Sequence, residues 1–315
     1  MIKRIFYATD IHGSEVVFRK FVSAGRFYKA DIVILDGDLT GKAIVPIINK
    51  GDGSFEADVL GERYLVNRDE AMELENRIRN LGFYPLILSE DELEDLRGSP
   101  RKVDKLFEDM MVREIRKWVS LIEQNLKNSG IDCYVLPGND DRFEIDKELE
   151  GSDYIVNPEG RVVDLDGVHE MISSGWSNPT PWNTPREESE EELGRRIEAM
   201  ASKVKNMENC VFNLHCPPYD TGIDNAPQLD ENLRQVVKAG ELIMVPVGSK
   251  SVRQVIEKYQ PLIGLHGHIH ESKGARKVGR TLCVNPGSEY QQGTLKGVIV
   301  NLDDKGVKSF MFTSG

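Results

Sequence analysis

Side chains that bind metal ions occur in five short clusters spread along the sequence. In chain order the clusters are Asp10-Ile11-His12, Gly37-Asp38-Leu39-Thr40-Gly41, Gly138-Asn139-Asp140-Asp141, His215, and Gly267-His268-Ile269-His270. Carboxylate and amide oxygens combined with imidazole nitrogens suit manganese, iron or zinc, whereas a structural zinc site is usually richer in thiolates. One such cluster alone is most often an ordinary turn, but five in this order predict a metal site.

These clusters lie where predicted strands end. Each of them follows an apolar run that predicts a strand, and the runs are Ile2–Ala8, Ile32–Leu35, Cys133–Leu136, Val211–Leu214 and Pro261–Leu265. Open α/β sheets bind ligands beyond the carboxyl ends of their strands, so the clusters are expected to meet at one edge of the fold. Residues 14–27 have apolar side chains at helical spacing, which places the first cluster on a strand-to-helix loop.

The composition is that of a globular protein with an acidic balance. The 315 residues carry a formal net charge of −12, which together with the lack of a basic stripe disfavours a nucleic-acid partner. No apolar run approaches the roughly 20 residues that cross a bilayer, so no membrane partner is expected. The sequence enters a predicted strand at once, without room for a signal peptide, and a cytoplasmic location is therefore expected.

Residues from about 41 to 100 are predicted to form an insertion within the main fold. Ala43–Asn49 and Val59–Val66 around a glycine-rich turn predict a β-hairpin, and Asn67 and Ser89 are predicted to begin helices. The hairpin over residues 43–66 is expected to be a lid, an arm that joins a homo-oligomer, or inert decoration. After it, Arg101–Leu126 predicts a long amphipathic helix that packs on the sheet.

Taken together, the motifs resemble those of the calcineurin-like metallophosphoesterase superfamily. That family has the pattern D-x-H, G-D, G-N-H, an isolated H, and G-H-x-H, and the resemblance extends from residue 1 to about residue 287. It implies an α/β fold in which residues 1–315 form one domain, a four-layer αββα sandwich of two mixed sheets flanked by helices. The insertion lies outside the resemblance.

The same resemblance implies two divalent metal ions. One ion would be held by Asp10, His12, Asp38 and His270, and the other by Asp38, Asn139, His215 and His268. Manganese is the expected metal, with iron, zinc and nickel as alternatives. Two such ions can bind a phosphoryl group and lower the pKa of a shared water, so that the bridging hydroxide attacks phosphorus in line.

The implied activity is hydrolysis of a phosphate ester, most of all of a phosphodiester, with catalytic roles for Asp38, Asn139 and Asp140. A nuclease or a phosphomonoesterase of the same fold is an alternative within the enzyme class. A metal-binding scaffold or ligand sensor without turnover is an alternative from another class. The ligand set argues for an enzyme, since a scaffold has no evident need for all the coordination positions.

Asp140 departs from the family pattern, which has a histidine after Asn139. That histidine usually assists the leaving group or holds the phosphate. An ordinary aspartate has a pKa of about 3.9 and would repel an anionic substrate at neutral pH. We therefore expect substrates whose leaving groups need little protonation, or an Asp140 whose pKa is raised by burial or by a partner.

Three further side chains are candidates for supporting roles. Trp176 and Asn178 lie in an aromatic, proline-rich loop and are predicted either to line the substrate cleft or to pack the loop onto the core. His266 shares a predicted strand face with His268 and is expected to orient a metal ligand. Next in the sequence, Thr184-Pro185-Arg186-Glu187 has the cap, proline and glutamate of a helix start.

Overall fold

The computed structural model describes residues 2–315. Its strands are β1 (Lys3–Thr9), β2 (Ile32–Asp36), β3 (Ile44–Asn49), β4 (Phe55–Val59), β5 (Glu62–Val66), β6 (Tyr84–Ser89), β7 (Asp132–Leu136), β8 (Val162–Asp164), β9 (Glu170–Ser174), β10 (Cys210–Leu214), β11 (Asn225–Pro227), β12 (Val237–Lys238), β13 (Glu241–Leu242), β14 (Met244–Pro246), β15 (Ile263–Leu265), β16 (Gly274–Val278), β17 (Thr281–Asn285), β18 (Lys296–Asp303) and β19 (Gly306–Ser314). Its α-helices are α1 (Glu15–Phe27), α2 (Arg68–Asn80), α3 (Glu90–Arg97), α4 (Pro100–Leu126), α5 (Asp146–Glu150), α6 (Glu190–Ala201) and α7 (Lys250–Tyr259). Within residues 2–315, no helix combines the length and apolar character needed to cross a membrane.

Two mixed sheets form the main body. The first has the order β19-β18-β1-β2-β7, and the second has the order β16-β17-β15-β10-β9-β8. In the first sheet β1, β2 and β7 run parallel, while β18 and β19 are antiparallel to their neighbours. In the second sheet β9, β10, β15 and β17 run parallel, with antiparallel strands at both edges. The predicted mixed α/β fold is confirmed.

Apolar clusters bury both faces of each main sheet. One cluster draws on both sheets and contains Ile5, Tyr7, Ile34, Met171, Val211 and Leu265 among others. Helices α1 and α4 pack on the other face of the first sheet, where the rings of Phe18 and Trp118 stack 4.1 Å apart. Helices α6 and α7 pack on the other face of the second sheet. Because side chains alternate along a strand, β1 can contribute to two of these clusters at once.

The segment from residue 41 to residue 100 forms a small sheet of its own, where the sequence predicted a hairpin. Its order is β5-β4-β3-β6, and α2 covers it through a separate apolar cluster. The predicted strand Val59–Val66 is confirmed over Glu62–Val66 as β5, but its start is wrong, because a turn with Leu60 at φ 54° separates Val59 from it. Strand β3 therefore pairs with β4 (Phe55–Val59), and β6 pairs with β3 in parallel.

The helix predicted to begin at Thr184 begins at Glu190 instead. Ser189 caps it, and Ser189 and Glu192 form a reciprocal capping box. The prediction was wrong because Glu187, taken as the third helical residue, accepts hydrogen bonds from the backbone and hydroxyl groups of Thr184 at 2.8 and 2.6 Å. The contact between Thr184 and Glu187 fixes the loop before α6, and the Thr184 hydroxyl in this loop accepts a hydrogen bond from Asn139.

Candidate metal centre

The structure brings six of the predicted metal ligands together in two groups. One group contains Asp10, His12, Asp38 and His270, and the other contains Asp38, His215 and His268. Within each group the ligand atoms all lie within 4.8 Å of one another. Asp38 belongs to both groups: its Oδ2 atom lies 3.6 Å from Nε2 of His12, and its Oδ1 atom lies 3.5 Å from Nε2 of His215. The two oxygens of one carboxylate thus face different groups.

The ends of parallel strands in both main sheets position these residues. Asp10 follows β1, Asp38 follows β2 and Asn139 follows β7, and these three strands are neighbours in the first sheet. His215 follows β10 and His268 follows β15, which are neighbours in the second sheet. The structure therefore has the strand-end arrangement that the sequence predicts.

Four of the predicted ligands have a left-handed backbone. The φ angles are 53° for Asp10, 41° for His12, 48° for Asp38 and 65° for His268. Positive φ values are uncommon for residues other than glycine, and they concentrate at sites where surrounding structure compels them. The strain indicates that the fold holds these side chains in a fixed arrangement.

Two motif glycines permit the close approach of the loops. A Cβ atom on Gly37 would lie 2.1 Å from Nδ1 of His215, and a Cβ atom on Gly267 would lie 2.0 Å from the hydroxyl oxygen of Thr9. A larger residue at either position would displace a side chain at the centre. Glycine is therefore required at both positions for space, and at Gly37, where φ is 50°, for backbone conformation as well.

Hydrogen bonds orient the ligand atoms. Nδ1 of His215 lies 3.0 Å from Oδ2 of Asp36, and the amide nitrogen of Asn139 donates to the Thr184 hydroxyl at 2.9 Å. Nε2 of His215 and Oδ1 of Asn139 are left buried without a hydrogen-bond partner. Nε2 of His12 and Nε2 of His270 lie 3.0 Å apart. The unpartnered Nε2 of His215 and Oδ1 of Asn139, together with the facing nitrogens of His12 and His270, are a donor set that fits divalent cations.

The ligand histidines differ in the direction of their pKa shifts: although burial opposes it, Asp38 and Asp10 raise the pKa of His215, and Asp10 raises that of His270. Burial lowers the pKa of His268 to about 4, and burial likewise lowers the pKa of His12 well below its usual value. Burial alone would raise the pKa of Asp38, but the nearby His215 outweighs it and holds the pKa well below the ordinary range. Neutral imidazoles and ionised carboxylates are the forms that bind metal ions.

Asp140 lies beside the centre and has a partner that the sequence analysis missed. Its Oδ2 atom lies 3.2 Å from Nζ of Lys42, and its backbone N–H donates to Oδ1 of Asp38 at 2.9 Å. Burial and then the charge of Asp38 raise the pKa of Asp140, while Lys42 opposes that shift. Lys42 directly follows the cluster Gly37–Gly41 in the sequence, and this position could have identified it as a residue close to the metal ligands.

Asp141 joins two of the ligand loops. Its carboxylate accepts hydrogen bonds from the backbone N–H groups of Leu39, Thr40 and Gly138 at 2.9, 2.9 and 2.8 Å. Burial raises the pKa of Asp141 to about 6, although these hydrogen bonds favour its ionised form. Its contacts fix the loop that carries Asp38 against the loop that carries Asn139.

Tyr290 covers the histidines of the first group and adjoins a cavity. Its ring centroid lies 4.7 Å from that of His12 and 5.9 Å from that of His270. A cavity of about 370 Å³ opens at this point, lined by His270, Tyr290, Gln291 and Lys296 among others. No predicted motif contained Tyr290, because a lone tyrosine after a strand has no signature of its own.

The remaining predicted residues support loops around the centre. The Trp176 ring lies under the Arg196 guanidinium at 4.2 Å, and Asn178 accepts from Sγ of Cys216 at 2.9 Å. These contacts favour the packing alternative for both residues, and a substrate-binding role stays a prediction. Nδ1 of His266 lies 2.8 Å from the Leu214 carbonyl oxygen, one residue before His215. His266 thus contacts ligand-bearing backbone, and its orienting role also stays a prediction.

Comparison with known proteins supplies relatives in sequence and in structure. No family model matches the chain. An uncharacterized protein, MJ1162 of Methanocaldococcus jannaschii, is 34% identical over 193 residues, which cover 60% of this chain and 79% of that protein. A crystal structure with 16% identity covers 99% of both chains with a TM-score of 0.60. The crystal structure of TT1561 of Thermus thermophilus, with 14% identity, covers 100% of this chain and 99% of its own, with a TM-score of 0.54.

At these low identities the solved structures show a shared fold over the length of the chain. The resemblance of the ordered motifs to the calcineurin-like metallophosphoesterase superfamily stays a prediction from the sequence. The 34% sequence identity with MJ1162 extends over 79% of that protein, which is enough to show a common family. The chain belongs to the same protein family as MJ1162 of Methanocaldococcus jannaschii.

Proposed function

We propose that this protein is a metal-dependent phosphoric ester hydrolase, and that its preferred substrates are phosphodiesters. The observation that carries the proposal is the position of Asp38, whose two carboxylate oxygens face two different groups of ligand side chains. A carboxylate in that position suits a site for two cations, and paired cations are typical of enzymes that hydrolyse phosphate esters. The packed sheets and helices are, on this proposal, the four-layer αββα sandwich of the superfamily.

The proposed ligands of the first ion are Asp10, His12, Asp38 and His270. Those of the second ion are Asp38, Asn139, His215 and His268. Manganese is the proposed metal, with iron, zinc and nickel as alternatives, because the ligand atoms are oxygen and nitrogen without thiolate. When bound, the two ions supply Lewis acidity that offsets charge on the phosphoryl oxygens and lowers the pKa of a shared water.

The chain's own residues prepare the site for this chemistry. Asp36 fixes the ring of His215 through Nδ1, so Nε2 is the atom directed at the centre. Thr184 engages the amide nitrogen of Asn139, so the amide oxygen is free to bind. Asp38, Asn139 and Asp140 are the proposed catalytic residues. With Lys42 alongside, Asp140 is not an isolated anion facing the substrate.

A small phosphodiester is favoured over a nucleic acid. The net charge of −12 gives a long polyanion no general attraction to the surface. We further propose that residues 1–315 are one domain interrupted by the insertion from about 41 to 100. Contact with a second copy through residues 43–66 is also proposed, since Leu65 on the edge strand β5 is 73% exposed.

The first test is hydrolysis of a chromogenic phosphodiester and the matching monoester. The protein is treated with a chelator and then assayed with and without added manganese, beside His215→Ala and a matched control, His169→Ala. His169 is buried too, but it contacts Asp166 and the Asp303 carbonyl instead of the centre. We expect manganese-dependent cleavage of the diester, its loss in His215→Ala, and its retention in His169→Ala.

The rival functions give different results in the same assay. A rate that is higher on the monoester would assign the protein as a phosphomonoesterase. Cleavage of DNA with binding that weakens steeply as salt rises would assign it as a nuclease. Absence of turnover in protein that binds two metal ions would contradict the enzymatic proposal and favour a scaffold or a ligand sensor.

A further inference from the structure

Lys42 places a positive charge at the edge of the candidate metal centre. Its Nζ atom lies 3.2 Å from Oδ2 of Asp140, and its side chain is 42% exposed. The same Asp140 oxygen lies 3.9 Å from Nδ1 of His12. The ammonium group therefore reaches both solvent and the charged groups around the proposed metal ligands, where an anionic substrate would enter.

The insertion fixes the backbone that carries Lys42. The Lys42 N–H donates to the Gly82 carbonyl oxygen at 3.2 Å, and the Gly41 N–H donates to the Tyr84 hydroxyl at 2.9 Å. The Tyr84 N–H in turn donates to the Ala43 carbonyl oxygen at 2.9 Å. The small sheet thus holds residues 41–43 against the main fold, so that Lys42 projects from an anchored segment.

We propose that Lys42 binds a phosphate oxygen of the substrate, and that Asp140, besides the catalytic role proposed above, holds the Lys42 ammonium group in position beside the centre. The inference rests on the proposed function. It assigns to Lys42 the contact with the substrate that a histidine after Asn139 would make in the family pattern, where this chain has Asp140. A lysine ammonium is a compact point charge with three donors, which suits a tetrahedral phosphate. Its pairing with Asp140 also reduces the repulsion between that carboxylate and the substrate.

The test is the binding of inorganic phosphate to manganese-loaded protein, measured by isothermal titration calorimetry. A hydrogen bond between charged groups contributes enough that Lys42→Met is expected to weaken phosphate binding about tenfold or more. Lys42→Arg keeps the charge and is expected to stay within about threefold of the wild type. Lys50→Met is the matched control, because Lys50 lies in the same insertion and pairs with Glu56 and Glu90.

The positioning role of Asp140 is tested by a double-mutant cycle. If Asp140 holds Lys42 in place, Lys42→Met is expected to change phosphate affinity much less in an Asp140→Asn background. An undiminished effect of Lys42→Met in that background would overturn the positioning role. Metal content is measured for every variant, and the wild-type content is expected throughout.

Failure of this inference is distinct from failure of the proposed function. Unchanged phosphate affinity in Lys42→Met would overturn the role of Lys42, even if the wild type hydrolyses phosphodiesters. Wild-type protein that binds phosphate through Lys42 but hydrolyses neither ester would support the binding role and contradict the proposed activity. In an active enzyme, Lys42→Met is also expected to raise KM more than it lowers kcat.

Discussion

Nδ1 of His215 lies 3.0 Å from Oδ2 of Asp36, and both side chains are fully buried where β10 and β2 end. The hydroxyl of Tyr7 donates to the same carboxylate oxygen at 2.9 Å. Tyr7 and His215 are both fully buried, so the imidazole has one orientation available to it. A carboxylate in contact with the far nitrogen of a ligand histidine sets both the tautomer and the basicity of the ring.

Asp36→Asn is expected to weaken metal binding at the group that contains His215. Loss of a carboxylate behind a ligand histidine typically reduces metal affinity about 10- to 100-fold. Manganese affinity is measured by competition with a chelator of known affinity. Asp132→Asn is the control, since Asp132 is an exposed carboxylate at the start of β7. Equal affinities in the Asp36 and Asp132 variants would contradict an orienting role for Asp36.

Gly37→Ala is expected to destabilise the protein far more than Gly51→Ala. Both glycines have positive φ, at 50° and 81°, but a Cβ atom meets His215 at Gly37 and meets nothing within 4 Å at Gly51. The left-handed backbone alone costs about 1–2 kcal/mol for a residue with a Cβ, and the displaced histidine adds to that cost at Gly37. Urea unfolding measures both variants, and similar losses would show that His215 moves aside freely.

Glu114 on α4 is expected to make stability depend on pH. One of its carboxylate oxygens is buried without a partner, and burial raises its pKa to about 8. Between the ordinary pKa of a glutamate and about pH 8, Glu114 is therefore protonated in the folded state and ionised in the unfolded state. This contribution to the free energy of unfolding is present at low pH and declines as pH rises towards 8, by at most about 1.4 kcal/mol per pH unit.

Glu114→Gln is expected to remove that dependence. Urea unfolding of chelator-treated protein at pH 5.5 and 7.5 measures the difference for the wild type and the variant. Asp109→Asn is the control on the same helix, where Asp109 forms an ion pair with Lys105. The Glu114 contribution is refuted if the wild type and Glu114→Gln lose the same stability over this interval.

Asp140→His is expected to raise the turnover of alkyl phosphodiesters relative to aryl phosphodiesters. An alkyl leaving group needs a proton more than an aryl one does, and a histidine near neutral pKa can supply it. Steady-state rates on one alkyl and one aryl substrate give the ratio, and Asp140→Asn controls for loss of the ion pair with Lys42. An unchanged or lower ratio would count against the view that Asp140 limits the protonation of leaving groups.

The sequence predicts the centre of the main sheets because β1, β2, β7, β10 and β15 are apolar runs, each followed by a polar cluster. Buried strands of this type, such as β2, have a strong signal. The small sheet was harder to predict, since β6 contains Pro85 and β4 is separated from β5 by only two residues. The sequence predicts a helix start at Thr184 because Glu187 stands three residues after it. In the structure that glutamate accepts the same Thr184 hydrogen bonds within a loop.

The candidate centre was predicted from its motifs, but the contacts that complete it were not. Asp36 precedes Gly37 at the end of an apolar strand, where nothing in the spacing distinguishes it from any strand-terminal aspartate. Tyr290 approaches the centre from a distant element and becomes visible only when the chain has folded. Lys42 directly follows a ligand cluster in the sequence, but its pairing with Asp140 is a tertiary contact. Side chains that act through tertiary contacts leave no periodic signal in a single sequence.

His12 and His270 are 258 positions apart in the chain, yet their ring nitrogens lie 3.0 Å from each other. A contact of such long range forms only after the intervening chain has been ordered, and closing so large a loop carries an entropic cost. A polypeptide that is still being synthesised therefore lacks the complete group of Asp10, His12, Asp38 and His270 until residue 270 has emerged. Binding of the proposed metal ions would in this sense be a late event, and it would stabilise a fold that has already brought both ends of the chain together.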